Sequence, residues 1–210
     1  MEEGLNFLVH LDHKTYFEDV DAYDSVDNWS SWDLGHTYVP AAGDLTDWWV
    51  LVNLATGKEI GGLVYVDDTH VKVRGDYRGY SVVIGEAYTQ SYTFSEFGIP
   101  APKGNVYSPQ GRLQLRTLNV SFTETPMFDV VVTPSGTAEG GRSAITHDYS
   151  GVEMGLATLG SVQLTSTRKR FLIWANAIGV TIQLRNSSHF PATWYEASWE
   201  GYYTTRNQGI

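Results

Sequence analysis

The chain has 210 residues and a mass of 23.4 kDa, with 42% hydrophobic residues, 18% charged and 21 glycines, which excludes a disordered tail or a coiled coil. Zero cysteines exclude a disulfide scaffold, a thiolate zinc site and a cysteine nucleophile, and no apolar run approaches the roughly 18 residues of a membrane span. The net charge of −10 argues against a surface that grips nucleic-acid phosphate, while permitting a wall along which DNA slides without adhering.

In chain order, residues 1–50 hold the whole imbalance, with eleven acids against the single base Lys14. No basic stretch followed by an apolar one marks a secretory signal at the N-terminus. The segment Asp19–Gly35 is polar and aperiodic and reads as an ordered loop, because Trp29 and Trp32 require packing partners. A short strand is expected over Trp48–Leu54, followed by the turn Ala55–Lys58. Its neighbouring rings Trp48 and Trp49 then point to opposite faces, one of them toward solvent or a neighbouring molecule. Gly62–Val66 and His70–Arg74 flank Asp67-Asp68-Thr69 as a hairpin. From Tyr80 to Phe94 the even positions are mostly bulky and the odd ones mostly small or polar, which predicts one long strand, or a strand with a kink at Gly85.

Two prolines and a glycine at Pro100–Gly104 interrupt the pattern. They set the expected division: an N-terminal β region over 1–104, carrying the acidic Trp-bearing loop, and a C-terminal β-sandwich-like region over 105–210. Leu113 and Leu115 hold an odd apolar phase, whereas Leu118, Val120 and Phe122 hold an even one, which places a β-bulge near Arg116–Thr117. Phe128, Val130 and Val132 form a strand stopped at Pro134, and Ser135–Arg142 reads as a long loop. Phe171–Ala175 and Val180–Leu184 bracket a tight connection. In the final strand, Thr193–Tyr203, the residues Tyr195, Ala197, Trp199 and Tyr203 share one face, with Trp199 and Tyr203 expected in the core and Gly201 where the backbone needs room. The expected class is all-β: antiparallel sandwich or barrel-like, with two small β subdomains as one arrangement.

Candidate chemistry is sparse. An EF-hand-like loop started at Asp19 fails, with Tyr23 at position 5, Asp24 at 6 and Ser30 at 12. His10, Asp12 and His13 divide between two strand faces, so they do not converge on a metal. Glu196 and Glu200 lie on one face beside Trp194, but their Cα atoms are about 13 Å apart along a strand, beyond the roughly 5–9.5 Å of glycosidase carboxyl pairs. There is no nucleophile elbow, phosphate loop or dinucleotide fingerprint. No catalytic, cofactor-binding or metal residue is therefore assigned. The enrichment is in rings, with 7 tryptophans and 13 tyrosines, which suit a sandwich core, a glycan platform or an interface. Trp48, Trp49 and the basic run Arg168-Lys169-Arg170 are the expected interface residues, the basic run being a solvated turn or a partner to the acidic first fifty residues, an opposition of charge that suits head-to-tail packing between copies.

The order Gly111–Arg116, Phe128–Val132, Arg170-Phe171, Val180–Pro191 and Ala197–Tyr203 resembles the C-terminal region of the tail tubular protein B, or tail nozzle, family of short-tailed bacteriophages. Leu11–Tyr16 and Val83–Tyr88 are similar to further segments of that family, whose members are usually several times longer. The resemblance implies a virion structural protein, made in the host cytoplasm and placed in the tail. It implies a homo-oligomer, as a hexameric ring, joined to the tail adaptor and other tail proteins, enclosing the passage for genomic DNA and serving genome retention and ejection. It implies no enzyme activity, no cofactor and no membrane span. A carbohydrate- or receptor-binding module is the alternative, and a glycan hydrolase a more distant one.

Overall fold

The computed structural model describes residues 9–35, 49–67, 69–99, 111–134, 143–151 and 164–205. Trp48, the expected boundary at Pro100–Gly104 and the expected loop Ser135–Arg142 lie outside them. The described chain contains no α-helix. Its strands are β1 (Asp12–Phe17), β2 (Ala22–Asp24), β3 (Trp29–Asp33), β4 (Trp49–Asn53), β5 (Glu59–Ile60), β6 (Val64–Tyr65), β7 (His70–Arg74), β8 (Val82–Glu86), β9 (Gln90–Thr93), β10 (Gly111–Thr123), β11 (Met127–Pro134), β12 (Ile145–Ser150), β13 (Thr167–Asn176), β14 (Val180–Asn186) and β15 (Thr193–Thr205). They form four antiparallel sheets, none closed into a barrel, within two compact units.

The first unit comprises Met1–Thr89, Val152–Gln163 and Ser187–Pro191. Its sheets are ordered β1-β8-β4-β5 and β2-β3-β7-β6. Trp32, Leu51, Val71, Val73, Val82 and Ile84 form their common core. The opposite side of β8 is also covered, since Val83 packs with Val9, Leu11, Val52 and Leu54. Burial on both faces is why β8 reads as a continuous apolar run rather than an alternation. Gly85 lies inside β8. A Cβ there would lie 2.9 Å from the Asp12 carbonyl oxygen, so the glycine lets β1 approach where the β1–β8 register shifts between Asp12 and Thr15. The segment Ser187–Pro191 is tied in by the His10 amide, which donates to the His189 carbonyl at 2.8 Å, and by His189 Nε2, 3.0 Å from the Gly57 carbonyl.

The second unit comprises Gln90–Gly151, Leu164–Asn186 and Ala192–Ile210. A three-stranded sheet, β13-β10-β15, and a four-stranded sheet, β12-β11-β14-β9, enclose a core that includes Leu118, Val120, Phe122, Phe128, Val130, Ile182 and Leu184. The Phe122 and Phe128 rings meet edge-on with centroids 5.0 Å apart, and Tyr149 packs on both. The bulge expected at Arg116–Thr117 is present, as a register shift between Leu115 and Thr117 against both β13 and β15. The connection from β13 to β14 passes from one sheet to the other through a one-turn 3₁₀ segment, Ala177–Gly179, whose first turn Asn176 caps by accepting from the Ile178 amide.

Three expectations are corrected. The long strand over Tyr80–Phe94 is two strands, β8 and β9, in different sheets. Both have period-2 patterning, and periodicity carries no information about which strand is the neighbour. The segment Asp19–Gly35 is not a loop but contains β2 and β3, with Trp32 fully buried. Trp199 and Tyr203 remain 36% and 37% exposed, whereas Trp194 packs against the core. A second register shift, where Ser121 and Phe122 face Glu196 and Trp194, leaves Tyr195 as the extra residue and turns Trp194 inward. Gly201 does stand where the backbone needs room: a Cβ would lie 2.5 Å from the Gln114 carbonyl oxygen.

Candidate functional site

The side of the β13-β10-β15 sheet that faces away from the core has an unusual make-up. Cross-strand partners share a face, so Ser121 lies between Arg168 and Glu196, Asn119 between Arg170 and Ser198, and Thr117 between Leu172 and Glu200. The middle strand supplies small polar side chains, of which Thr117 and Ser121 are buried although they point outward. Longer flanking side chains stand over them, basic on the β13 side and acidic on the β15 side. The Ser121 hydroxyl donates to Glu196 at 3.2 Å and the Thr117 hydroxyl to Glu200 at 3.3 Å. The Arg168 guanidinium reaches across to donate to the Ser198 hydroxyl. The Arg170 side chain has no hydrogen-bond or ion-pair partner among the described residues.

At the bulge this face becomes aromatic. Arg116 lies 5.6 Å from the Trp174 ring centre and 5.9 Å from that of Tyr202, and donates to the Tyr202 hydroxyl at 3.1 Å. Trp174 has φ 47°, a left-handed backbone that a bulky residue rarely adopts. Alternating with the buried Phe171 and Ile173, its ring is outward and 52% exposed, near the exposed Leu172 and Tyr202.

Of the expected interface residues, Arg168, Lys169 and Arg170 are exposed, all on β13. Trp48 lies outside the described residues. Trp49 is buried, its ring packed with Leu51 and Val71 in the core of the first unit.

The first unit holds a groove of about 620 Å³ lined by Tyr23, Asp24, Asp27, Trp29, Asp67, His70 and Lys72, among others. Its rings are each covered on one side by a cation: Lys72 Nζ stands 4.7 Å over Trp29 and the Arg78 guanidinium 4.3 Å over Tyr23. The Thr69 amide and the His70 ring hold the Asp67 carboxyl down at about 2, and Asp67 in turn raises His70. Asp76 is likewise held at about 2 by Arg78, and Asp19 is lowered by the Gly79 amide. The acids of this region are therefore acceptors for nearby N–H groups: Asp24 takes the Val26 amide and Asp21 the Asp33 amide. Among the described residues no three of His, Cys, Asp or Glu converge on a metal-sized site. His10 instead meets Tyr88, and His13 meets Glu86.

The Arg116–Trp174–Tyr202 cluster escaped sequence reasoning, because nothing in a sequence marks a tryptophan at positive φ, and Arg116 carried only the bulge signal. The Asp67–His70 pairing had a local signal, an aspartate two residues before a threonine in a hairpin turn.

A family model described as bacteriophage nozzle protein matches residues 1–210. A relative, the tail tubular protein gp12 of Escherichia phage T7, is 30% identical over 148 residues, which is 68% of this chain and 18% of that protein. The chain thus spans less than a fifth of that relative's length. With the family model matching from the first residue to the last, the chain belongs to the bacteriophage nozzle protein family.

Proposed function

We propose that this chain is a structural component of a short phage tail, assembling as a ring of about six copies around the DNA passage and bound to the tail adaptor. The match to the nozzle family over residues 1–210 carries the reading. The exposed Leu172, Trp174 and Tyr202 around Arg116 support it, since a cluster of large apolar groups on one sheet face suits protein contact. The net charge of −10 suits a passage wall from which phosphate is repelled, so that the genome is retained and ejected without sticking.

On this reading the chain works through contacts rather than catalysis. A glycan hydrolase needs a carboxylic acid held protonated near neutral pH, whereas the shifted carboxyls among the described residues, Asp19, Asp67 and Asp76, are lowered. A glycan platform needs open ring faces, and the groove rings Trp29 and Tyr23 each have one face under a cation. Arg168, Lys169 and Arg170 are proposed as contact residues. Trp48 keeps that proposal, and Trp49, buried in the core of the first unit, contributes by supporting the fold. The test is capture: the purified chain is added to tail particles that carry the adaptor but lack the nozzle. Binding at a fixed ratio near six per particle is expected, and no binding, or binding only of glycans, overturns the proposal.

A further inference from the structure

The three-stranded sheet of the second unit ends on both sides in a long edge. β13 has ten residues and β15 thirteen, neither contains proline, and among the described residues no strand pairs with the outer side of either. Monomeric proteins usually shorten such edges, interrupt them or cover them, because free N–H and C=O groups recruit another strand. Here both edges are bulged, but each keeps an unbroken run, Thr167–Leu172 on β13 and Glu196–Glu200 on β15, and the two runs differ in charge. β13 carries Arg168, Lys169 and Arg170 and no acid, while β15 carries Glu196 and Glu200 and no base.

We infer that β13 of one copy pairs with β15 of the next, continuing the sheet from subunit to subunit. The occupant is a second copy of this chain, chosen by charge. Pairing like edges across a two-fold axis sets Arg168 and Arg170 against themselves, or Glu196 and Glu200 against themselves. Pairing unlike edges sets base against acid, and such a head-to-tail contact generates a ring or a filament instead of a closed dimer. Both strands run antiparallel to β10 and so parallel to each other. With the outer faces kept on one side, the new pair is therefore parallel, and it places Arg170 beside the neighbour's acids. Glu196 and Glu200 each accept from one hydroxyl of their own sheet, which leaves carboxylate lone pairs for the neighbour. The exposed Leu172, on the β13 edge, becomes covered by the added strand. This inference rests on the ring reading above and adds which surfaces meet.

The test is a charge exchange read as mass in solution. R168E/R170E makes both edges acidic and E196R/E200R makes both basic. Each variant alone is expected to stay a monomer under conditions where the unmodified chain assembles. An equimolar mixture is expected to restore assembly with the two variants alternating, which also proves that both fold. Hydrogen exchange on the unmodified chain is the second measurement: amides within 167–176 and 193–205 are expected to slow on assembly. If the unmodified chain assembles but the variants assemble equally well, or if those amides do not slow, the edge pairing is overturned and the ring reading stands. If the unmodified chain stays a monomer even with the adaptor, the ring reading falls and this inference falls with it.

Discussion

Single residues show where the chain spends stability for geometry. A methyl group at Gly201 would sit 2.5 Å from a backbone oxygen of β10 and cannot be relieved by a side-chain movement. Gly201→Ala is therefore expected to cost about 1–3 kcal/mol, measured as a lower denaturation midpoint with an unchanged slope. Trp174 presents the opposite case, since its positive φ costs energy in the isolated chain while its ring stays exposed. Trp174→Asn suits that backbone better, so its melting temperature should be no lower than that of the unmodified chain, while its capture by tail particles weakens. His70 and Asp67 give a pH signature. Asp67 drops from its ordinary 3.8 to about 2, so its contribution is present above pH 3.8 and disappears as pH falls through about 2. His70 is raised above its ordinary 6.5, so its contribution is complete below that value and disappears as pH rises through the folded-state pKa. The pair supports the hairpin most between about pH 4 and 6.5. NMR titration of the His70 ring should place its pKa above the ordinary value, and Asp67→Asn should bring it back down.

Strands were legible in the sequence wherever alternation was strong, and their partners were not. The phase change from Leu115 to Leu118 marked the bulge correctly, because side-chain period is a local property. The break between β8 and β9 was invisible, since both halves keep the same period while joining different sheets. β2 and β3 were invisible for another reason: their polar side chains are half-exposed, and only Trp32 and Ser30 are buried in them. The proposed contact surface was legible in pieces. Arg168–Arg170 stood out as a run, and Glu196 with Glu200 as a same-face pair, but only the order β13-β10-β15 places them along opposite edges of one sheet. Sheet position also sets the cost of mutation. Phe122→Ala, on the central strand and fully buried, is expected to cost about 3–5 kcal/mol by equilibrium unfolding. Leu172→Ala, on the edge and 54% exposed, should stay within about 0.5 kcal/mol in the monomer.

At the scale of the whole molecule, composition excluded more than it identified. The absence of cysteine and the acidic first fifty residues narrowed the classes, and the resemblance to tail nozzles supplied the family that the match over residues 1–210 establishes. On the proposed reading, what the chain does is set outside its cores, by exposed rings and by charges distributed unequally over one sheet. Attraction between exposed charges is screened beyond a Debye length, about 8 Å at physiological salt and about 3 Å at 1 M. Assembly is therefore expected to loosen as salt rises, while the unfolding midpoint of the monomer changes little. The most direct measurement is the light-scattering mass of the purified chain over a range of concentrations, alone and with the tail adaptor. A discrete species near six times 23.4 kDa, or an adaptor complex of fixed ratio, is the predicted result. A species of 23.4 kDa at every concentration, unchanged by the adaptor, would contradict the account.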